Sequence, residues 1–317
     1  MLWFFLLIFS GFALLLLGAE GLVRSSARIA KMFGVSSLII GLTVVAYGTS
    51  SPELFMSCYA SLIGNTEIAI SNVLGSNIFN LLFILGLSSL ITPLSVHKQL
   101  IKWDIPVMIS CSIFLWLIAC WSIVISPLEG ALFLAAIVFY TFWLIYMSRK
   151  ETPKKKTLEE DAFSWKSLSL HSSLILISLG LLVAGSDLLI RGAIDLAFFF
   201  GISERVVGLT IVAAGTSIPE AVTSIVAALR KEKDIAVGNV IGSNIYNILA
   251  VLGVSSCLAP NGLPFKEAAL AFDLPFMVIA TIICAPLFFS KYQISRLEGA
   301  FLILGYGIYI HYLILHP

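Results

Sequence analysis

Charge is scarce in this chain. Of its 317 residues only 12% are Asp, Glu, Lys or Arg, and 59% are apolar. A soluble domain carries about 25% charged residues. With a mean hydropathy of +1.02, that shortage excludes a soluble enzyme and a disordered chain. A formal net charge of +1 gives no basic surplus for nucleic acid. Cysteine is sparse and unpatterned. Cys58, Cys111, Cys120, Cys257 and Cys284 make an odd set without a CxxC pair, all in apolar runs, so they read as small core residues and not as disulfides or metal ligands. HExxH, GxxxxGK[ST] and GxSxG are all missing, which argues against an intramembrane zinc site, ATP coupling and a serine nucleophile. The expectation is a protein that is no enzyme, holds no cofactor and draws on an ion gradient. The first twenty residues carry no basic leader, so a retained first span is expected in place of a cleaved signal.

What is present is hydrophobic length. A span needs about 20 apolar residues. Ten candidates follow, at roughly 2–27, 36–63, 67–92, 103–124, 127–148, 169–196, 202–229, 234–259, 268–289 and 297–315. The fold class expected is an all-α polytopic membrane protein. One polar stretch, RKETPKKKTLEEDAFSWK, divides the spans five and five. The organisation read from this is a first five-helix unit over 1–148, a linker over 149–168 and a second unit over 169–317. With the N-terminus outside, about 16 of the 19 basic residues fall on the inner side, and only Arg191, Arg205 and Lys266 fall outside. The positive-inside rule then makes the linker cytoplasmic and both termini extracytoplasmic.

The two halves repeat each other. Residues 41–89 align without gaps on residues 208–256, and about 27 of these 49 positions are identical. The likeness extends to Glu20/Arg24 with Asp187/Arg191, and to Asp104/Pro106 with Asp273/Pro275. Five spans per copy is an odd number, so the second copy enters the membrane upside down. Inverted repeats are the architecture of secondary transporters, with the substrate site where the copies meet near the midplane.

The best-matched segments are poor transmembrane helix. Gly48-Thr49-Ser50-Ser51-Pro52-Glu53 returns as Gly215-Thr216-Ser217-Ile218-Pro219-Glu220. Proline removes a donor and clashes with the carbonyl four residues back. The helix should therefore break and free carbonyl oxygens around 46–48 and 213–215. Free backbone at membrane depth is tolerated only beside a cavity or inside protein. Glu53 and Glu220 are the sharpest residues, since a mid-span carboxylate costs about 2.5–3.5 kcal/mol even on the lenient scale. Two at matching positions are balanced by one divalent ion, and carbonyls, hydroxyls and carboxylates together suit a hard cation. A protonated or merely helix-capping glutamate after a proline kink is the alternative for each.

Spacing gathers further oxygens. Thr49, Glu53 and Ser57 are four apart and share a helix face, as do Thr216, Glu220 and Ser224. The next span carries Asn72, Ser76 and Asn80, and its copy carries Asn239, Ser243 and Asn247. Ser76, Asn80, Ser243 and Asn247 are favoured as ligands. For Asn72, Asn239, Asn77 and Asn244, interhelical hydrogen bonding is weighed equally with a ligand role. Gly75 and Gly242 should allow close helix approach. Glu20/Arg24 and Asp187/Arg191 read as self-paired anchors near span ends. Asp104, Asp273, Glu129 and Glu298 read as caps or structural partners. His97, His171, His311 and His316 are peripheral.

At GTSxPE and GSNxxN the sequence resembles the sodium/calcium exchanger family of the calcium/cation antiporter superfamily, most closely its compact prokaryotic members. The resemblance covers nearly the whole chain. It implies ten transmembrane helices as two inverted five-helix repeats, with the second, third, seventh and eighth around the ions. It implies that Glu53 and Glu220 are the central calcium ligands. Thr49, Ser50, Ser76, Asn80, Thr216, Ser217, Ser243 and Asn247, with the carbonyls of Ala46 and Ala213, would complete the calcium and sodium sites. The first and sixth spans would slide across the core. Several family members carry Asp where this chain has Asn247, so a third carboxylate is missing here. That argues against potassium co-transport and leaves an amide oxygen for a divalent ion.

The function expected is antiport of sodium against calcium by alternating access, with inorganic cations and the lipid bilayer as partners, in a bacterial inner membrane. An alternative is a calcium/proton or sodium/proton antiporter in which a proton on Glu53 or Glu220 replaces sodium. A cation channel and a structural membrane protein are the readings from other classes.

Overall fold

Backbone in lipid must satisfy its own hydrogen bonds, and helices do this locally. The computed structural model describes residues 2–151, 164–200, 215–267, 269–289 and 292–315. They form eleven helices: α1 (Leu2–Phe33), α2 (Ser37–Thr49), α3 (Ser51–Leu62), α4 (Thr66–Ile91), α5 (Leu100–Ser122), α6 (Pro127–Glu151), α7 (Trp165–Phe199), α8 (Ile218–Leu229), α9 (Lys233–Leu258), α10 (Ala269–Phe289) and α11 (Arg296–Leu315). Eight are long and apolar enough to cross a bilayer, or nine when α2 and α3 count as one span bent by 44°. The ten spans expected from the sequence include 202–229, and its first part lies outside the described residues, as do Ala213, Arg205, Lys154, Lys155, Lys156, Lys291 and His316. Its described end, α8, is an apolar helix of 12 residues.

Burial ranks the helices. The most apolar stretch of α9 is 94% buried and that of α4 72% buried, against 17% for α11 and 28% for α6 and α7. Thus α4 and α9, which carry the two GSNxxN motifs, are the centre. The outer helices turn large apolar side chains outward: Phe9 is 69% exposed, Phe139 73% and Trp121 92%. A soluble surface does not expose so much apolar area; a bilayer solvates it, and the protein is an integral membrane protein.

Close backbone approaches at glycine assemble the bundle. On α9, a Cβ at Gly242 would stand 2.5 Å from the Leu42 carbonyl oxygen of α2, so only glycine admits the α2 backbone there. Gly75 meets no described atom within 4 Å, so the close approach expected there is not seen among the described residues. Between α1 and α7, a Cβ at Gly11 would meet the Leu189 amide at 2.6 Å, so these two long helices lie against each other as a pair.

Four two-residue strands pair across the halves. Leu94–Ser95 runs antiparallel to Gln293–Ile294, and Val124–Ile125 runs antiparallel to Leu263–Pro264. The same two sequence elements thus exchange partners reciprocally. Charged groups near span ends behave as caps or as structural partners. Glu129 accepts from the Ser126 amide and hydroxyl, both at 2.7 Å, and Glu298 accepts from Ser295 at 2.6 and 2.7 Å; each is a capping box. Tyr140 donates to Asp104 at 2.8 Å and Tyr309 to Asp273 at 3.1 Å. Asp187 pairs with Arg191 at 2.9 Å. Glu20 is not only self-paired: besides Arg24 it takes Arg230 from the end of α8 at 2.6 Å.

Candidate functional site

Pro52 and Pro219 stand in the first turn of α3 and α8, where a missing N–H costs nothing. The chain therefore breaks before each proline and restarts a helix at once. Glu53 and Glu220 follow one residue later, at the positive end of a new helix, which favours an anion by about 0.3–1 kcal/mol. Both glutamates are 0% exposed.

The break frees less backbone than the sequence suggests. Ala46's carbonyl still accepts the Ser50 amide at 3.0 Å, and the Thr49 hydroxyl, whose nearer acceptor is Asn239 Oδ1 at 3.1 Å, lies 3.3 Å from it. Only its second lone pair is left to serve an ion. Ala213 lies outside the described residues.

Ser50 and Ser217 occupy the helix-capping positions of α3 and α8, yet neither hydroxyl caps its own helix. A serine there normally does, worth about 1 kcal/mol. Instead each reaches across to the other half. Ser50 Oγ donates to Glu220 Oε1 at 2.7 Å and Ser217 Oγ donates to Glu53 Oε1 at 2.8 Å. Ser217 Oγ also lies 2.9 Å from Ser76 Oγ, which ties α4 to the same centre. Hydrogen bonds to charged groups contribute about 1.5–3 kcal/mol, comparable to the cost of burying each carboxylate.

One oxygen of each carboxylate is thereby held. The other, Oε2, has no hydrogen-bond partner among the described residues, and neither do Asn80 Oδ1, Asn247 Oδ1 and Ser243 Oγ, all of them buried. Asn80 lies one turn beyond Ser76, on the same face of α4. Both asparagines stand on widened π turns, Phe79–Ile84 and Asn247–Val251, a feature frequent at functional sites. Two carboxylate oxygens, two amide oxygens and a hydroxyl thus await donors inside the protein. No group of three or more His, Cys, Asp or Glu gathers among the described residues. The donor set is all oxygen, which suits hard cations such as Ca²⁺ or Na⁺ and not the softer transition metals.

Asn72 and Asn239, equally open between two roles in the sequence, are interhelical clamps. Asn72 Nδ2 donates to Ser57 Oγ at 3.0 Å and to the Glu53 carbonyl at 3.3 Å, while its Oδ1 accepts from Thr216 at 3.1 Å. Asn239 repeats the pattern with Ser224 at 2.9 Å, the Glu220 carbonyl at 3.4 Å and Thr49 at 3.1 Å. Thr49 and Thr216 therefore also act across the halves. The sequence did not reveal these crossings, nor the serine-to-glutamate bonds. Its one usable signal was that Ser, Thr, Asn and Glu are the positions retained in both copies.

A sequence model described as "Sodium/calcium exchanger protein" matches twice, over residues 3–147 and 171–315. The relative CaxA of Alkalimonas amylolytica is 36% identical over 306 residues, covering 93% of this chain and 94% of its own. Sodium/calcium exchanger MaX1 of Methanosarcina acetivorans is 31% identical over 96% of this chain and 97% of its own. A solved structure of the sodium-calcium exchanger NCX_Mj, soaked without Na⁺ and Ca²⁺, superposes with a TM-score of 0.84 at 33% identity, over 98% of this chain and 99% of that one.

Proposed function

The chain belongs to the sodium/calcium exchanger family, whose members move cations and are not enzymes, and we propose that it exchanges Na⁺ for Ca²⁺ across a bacterial inner membrane by alternating access. The observation that carries this reading is the reciprocal pair Ser50–Glu220 and Ser217–Glu53, which leaves one oxygen of each carboxylate without a partner among the described residues, at the contact of the two halves. Ca²⁺ would take Glu53, Glu220, Asn80 and Asn247. Na⁺ would use the same carboxylates with Thr49, Ser50, Ser76, Thr216, Ser217 and Ser243, joined by the carbonyls of Ala46 and Ala213. Two negative charges are neutralised by one Ca²⁺ or two Na⁺, so the ions compete for one centre. An empty, doubly ionised centre would carry unpaired buried charge, which is strongly unfavourable, and so should not cross unloaded.

In this reading the protein has ten transmembrane helices, a first five-helix repeat over 1–148 and an inverted one over 169–317. The cytoplasmic linker is 149–168, and both termini are extracytoplasmic. The partners are inorganic cations and the bilayer; no cofactor enters the cycle. The names of the relatives and the asymmetry of basic residues support it. The test is Ca²⁺ uptake into inverted vesicles under imposed Na⁺ or H⁺ gradients separately. Uptake driven by Na⁺ is expected. Uptake driven by H⁺ and not by Na⁺ would replace sodium by the proton as counter-ion.

A further inference from the structure

Asn77 and Asn244 sit three residues before Asn80 and Asn247 and contribute no oxygen to the centre, yet both are buried to within 1% exposure. Their hydrogen bonds form a closed reciprocal figure. Asn77 Nδ2 donates to the Asn244 backbone carbonyl at 3.3 Å, and Asn244 Nδ2 donates to the Asn77 backbone carbonyl at 3.3 Å. A backbone carbonyl can only accept, so the end of each side chain that faces it must be the NH₂. The orientation of an amide is normally a matter of assignment; here the main chain dictates it. The second hydrogen of each NH₂ points at a thioether, Met277 Sδ at 3.8 Å and Met108 Sδ at 3.9 Å, which accepts weakly.

With the NH₂ groups fixed, each Oδ1 must face the opposite way, and each receives a donor. Asn247 Nδ2 donates to Asn77 Oδ1 at 3.1 Å and Asn80 Nδ2 donates to Asn244 Oδ1 at 3.1 Å. That engages one hydrogen of each NH₂ and fixes which end of Asn80 and Asn247 faces the clasp. Their Oδ1 atoms face away from the clasp, and both are buried with no partner among the described residues. The sequence of constraints runs from main-chain carbonyl to clasping amide to site amide to bare oxygen. Were Asn77 reversed, its oxygen would oppose the Asn244 carbonyl and its NH₂ would oppose that of Asn247. Asn247 would then turn an NH₂ toward the cation.

We infer that Asn77 and Asn244 are positioning residues: a clasp between α4 and α9 that holds the carbonyl oxygens of Asn247 and Asn80 toward the transported ion. This rests on the ion-site assignment above. Without the clasp those amides have no bias between presenting oxygen, which binds a cation, and presenting NH₂, which repels it. Because the clasp joins the two halves, it sets both amides at once.

The test is calorimetric Ca²⁺ binding to the purified full-length protein, with thermal melting as the check of folding. Asn77→Leu and Asn244→Leu should each weaken Ca²⁺ binding roughly tenfold, the scale of one oxygen's interaction with a charged group, while maximal transport at saturating Ca²⁺ survives. A purely structural role would lower the yield of folded protein and leave the affinity of the folded fraction unchanged. Asn77→Leu added to Asn247→Ala should cost little more than Asn247→Ala alone, because the clasp acts through that oxygen. Unchanged affinity in folded Asn77→Leu, or full additivity in the double variant, overturns the clasp. Where Asn77→Leu does not fold, Asn77→Ser is read by the same criteria. Glu53→Gln is the control for the site itself: loss of binding there beside normal affinity in the clasp variants rejects the clasp alone. Retained binding in Glu53→Gln rejects the site and the clasp together.

Discussion

Ser50 and Glu220 are 170 positions apart in the chain and 2.7 Å apart in the fold, with the serine hydroxyl donating to the carboxylate. The bond replaces the serine's own helix cap, so local helix stability is given up for a contact between the halves. Ser217 and Glu53 do the same in return, but Ser217 also touches Ser76, and this asymmetry has a consequence. Ser50→Ala and Ser217→Ala should both weaken Ca²⁺-dependent uptake, each by about tenfold or more given about 1.5–3 kcal/mol per charged hydrogen bond. Ser217→Ala should be the more harmful, since it strips two partners. Uptake measured against Ca²⁺ concentration would contradict the geometry if Ser50→Ala proved equal or worse.

Glu53→Gln and Glu220→Gln should each abolish Ca²⁺ transport without unfolding the protein. Each removes a buried charge that costs about 2.5–3.5 kcal/mol, so the ion-free variant should melt at or above the parent temperature. Ligand stabilisation follows RT ln(1 + [L]/Kd), and the rise in melting temperature on adding Ca²⁺ should vanish. Transport in either variant, or a retained Ca²⁺ shift, would remove that glutamate from the site.

Packing at Gly242 gives a sharp contrast with Gly305. A methyl group at Gly242 would lie 2.5 Å from a main-chain oxygen, whereas at Gly305 the nearest atom is 3.8 Å away, in ordinary contact. Gly242→Ala should destabilise by about 1–3 kcal/mol through overpacking. Gly305→Ala should be neutral or stabilise by about 0.4–1 kcal/mol by restricting the unfolded chain. Denaturation of the two purified variants decides this; equal effects would mean that α2 and α9 are not in backbone contact.

Glu298 is a carboxylate of another kind. It caps α11 through Ser295 and shares no bond with the centre. Glu298→Ala should lower stability by about 1 kcal/mol, the usual worth of a cap, and leave the affinity for Ca²⁺ unchanged. A shift in affinity would show that the outer carboxylates take part in transport.

The legible part of the site was its chemistry. Pro beside Glu inside an apolar run, twice over, already placed Glu53 and Glu220 at a helix break, because the proline ring and the cost of a buried charge are local properties. Glu129 and Glu298 were legible as caps or structural partners, and the structure made them capping boxes. The reading of Ala46 as a freed carbonyl was less complete, since a helix can bend by 44° and still keep the bond from Ser50's amide. Whether Asn72 served the ion or clamped helices was also undecided, because the answer depends on a threonine 144 residues away.

By itself the sequence determined that this protein lives in a membrane, that it is built twice from one plan, and that two carboxylates stand inside it. Those follow from hydropathy, identity between segments and the rarity of buried charge, each readable within a few dozen residues. Only the tertiary structure decided which oxygens are left bare. A serine, an asparagine or a carboxylate has several possible partners of nearly equal worth. The choice is made where helices from opposite halves meet: the serines cross over, the asparagines clasp, and five buried oxygens there keep no partner among the described residues.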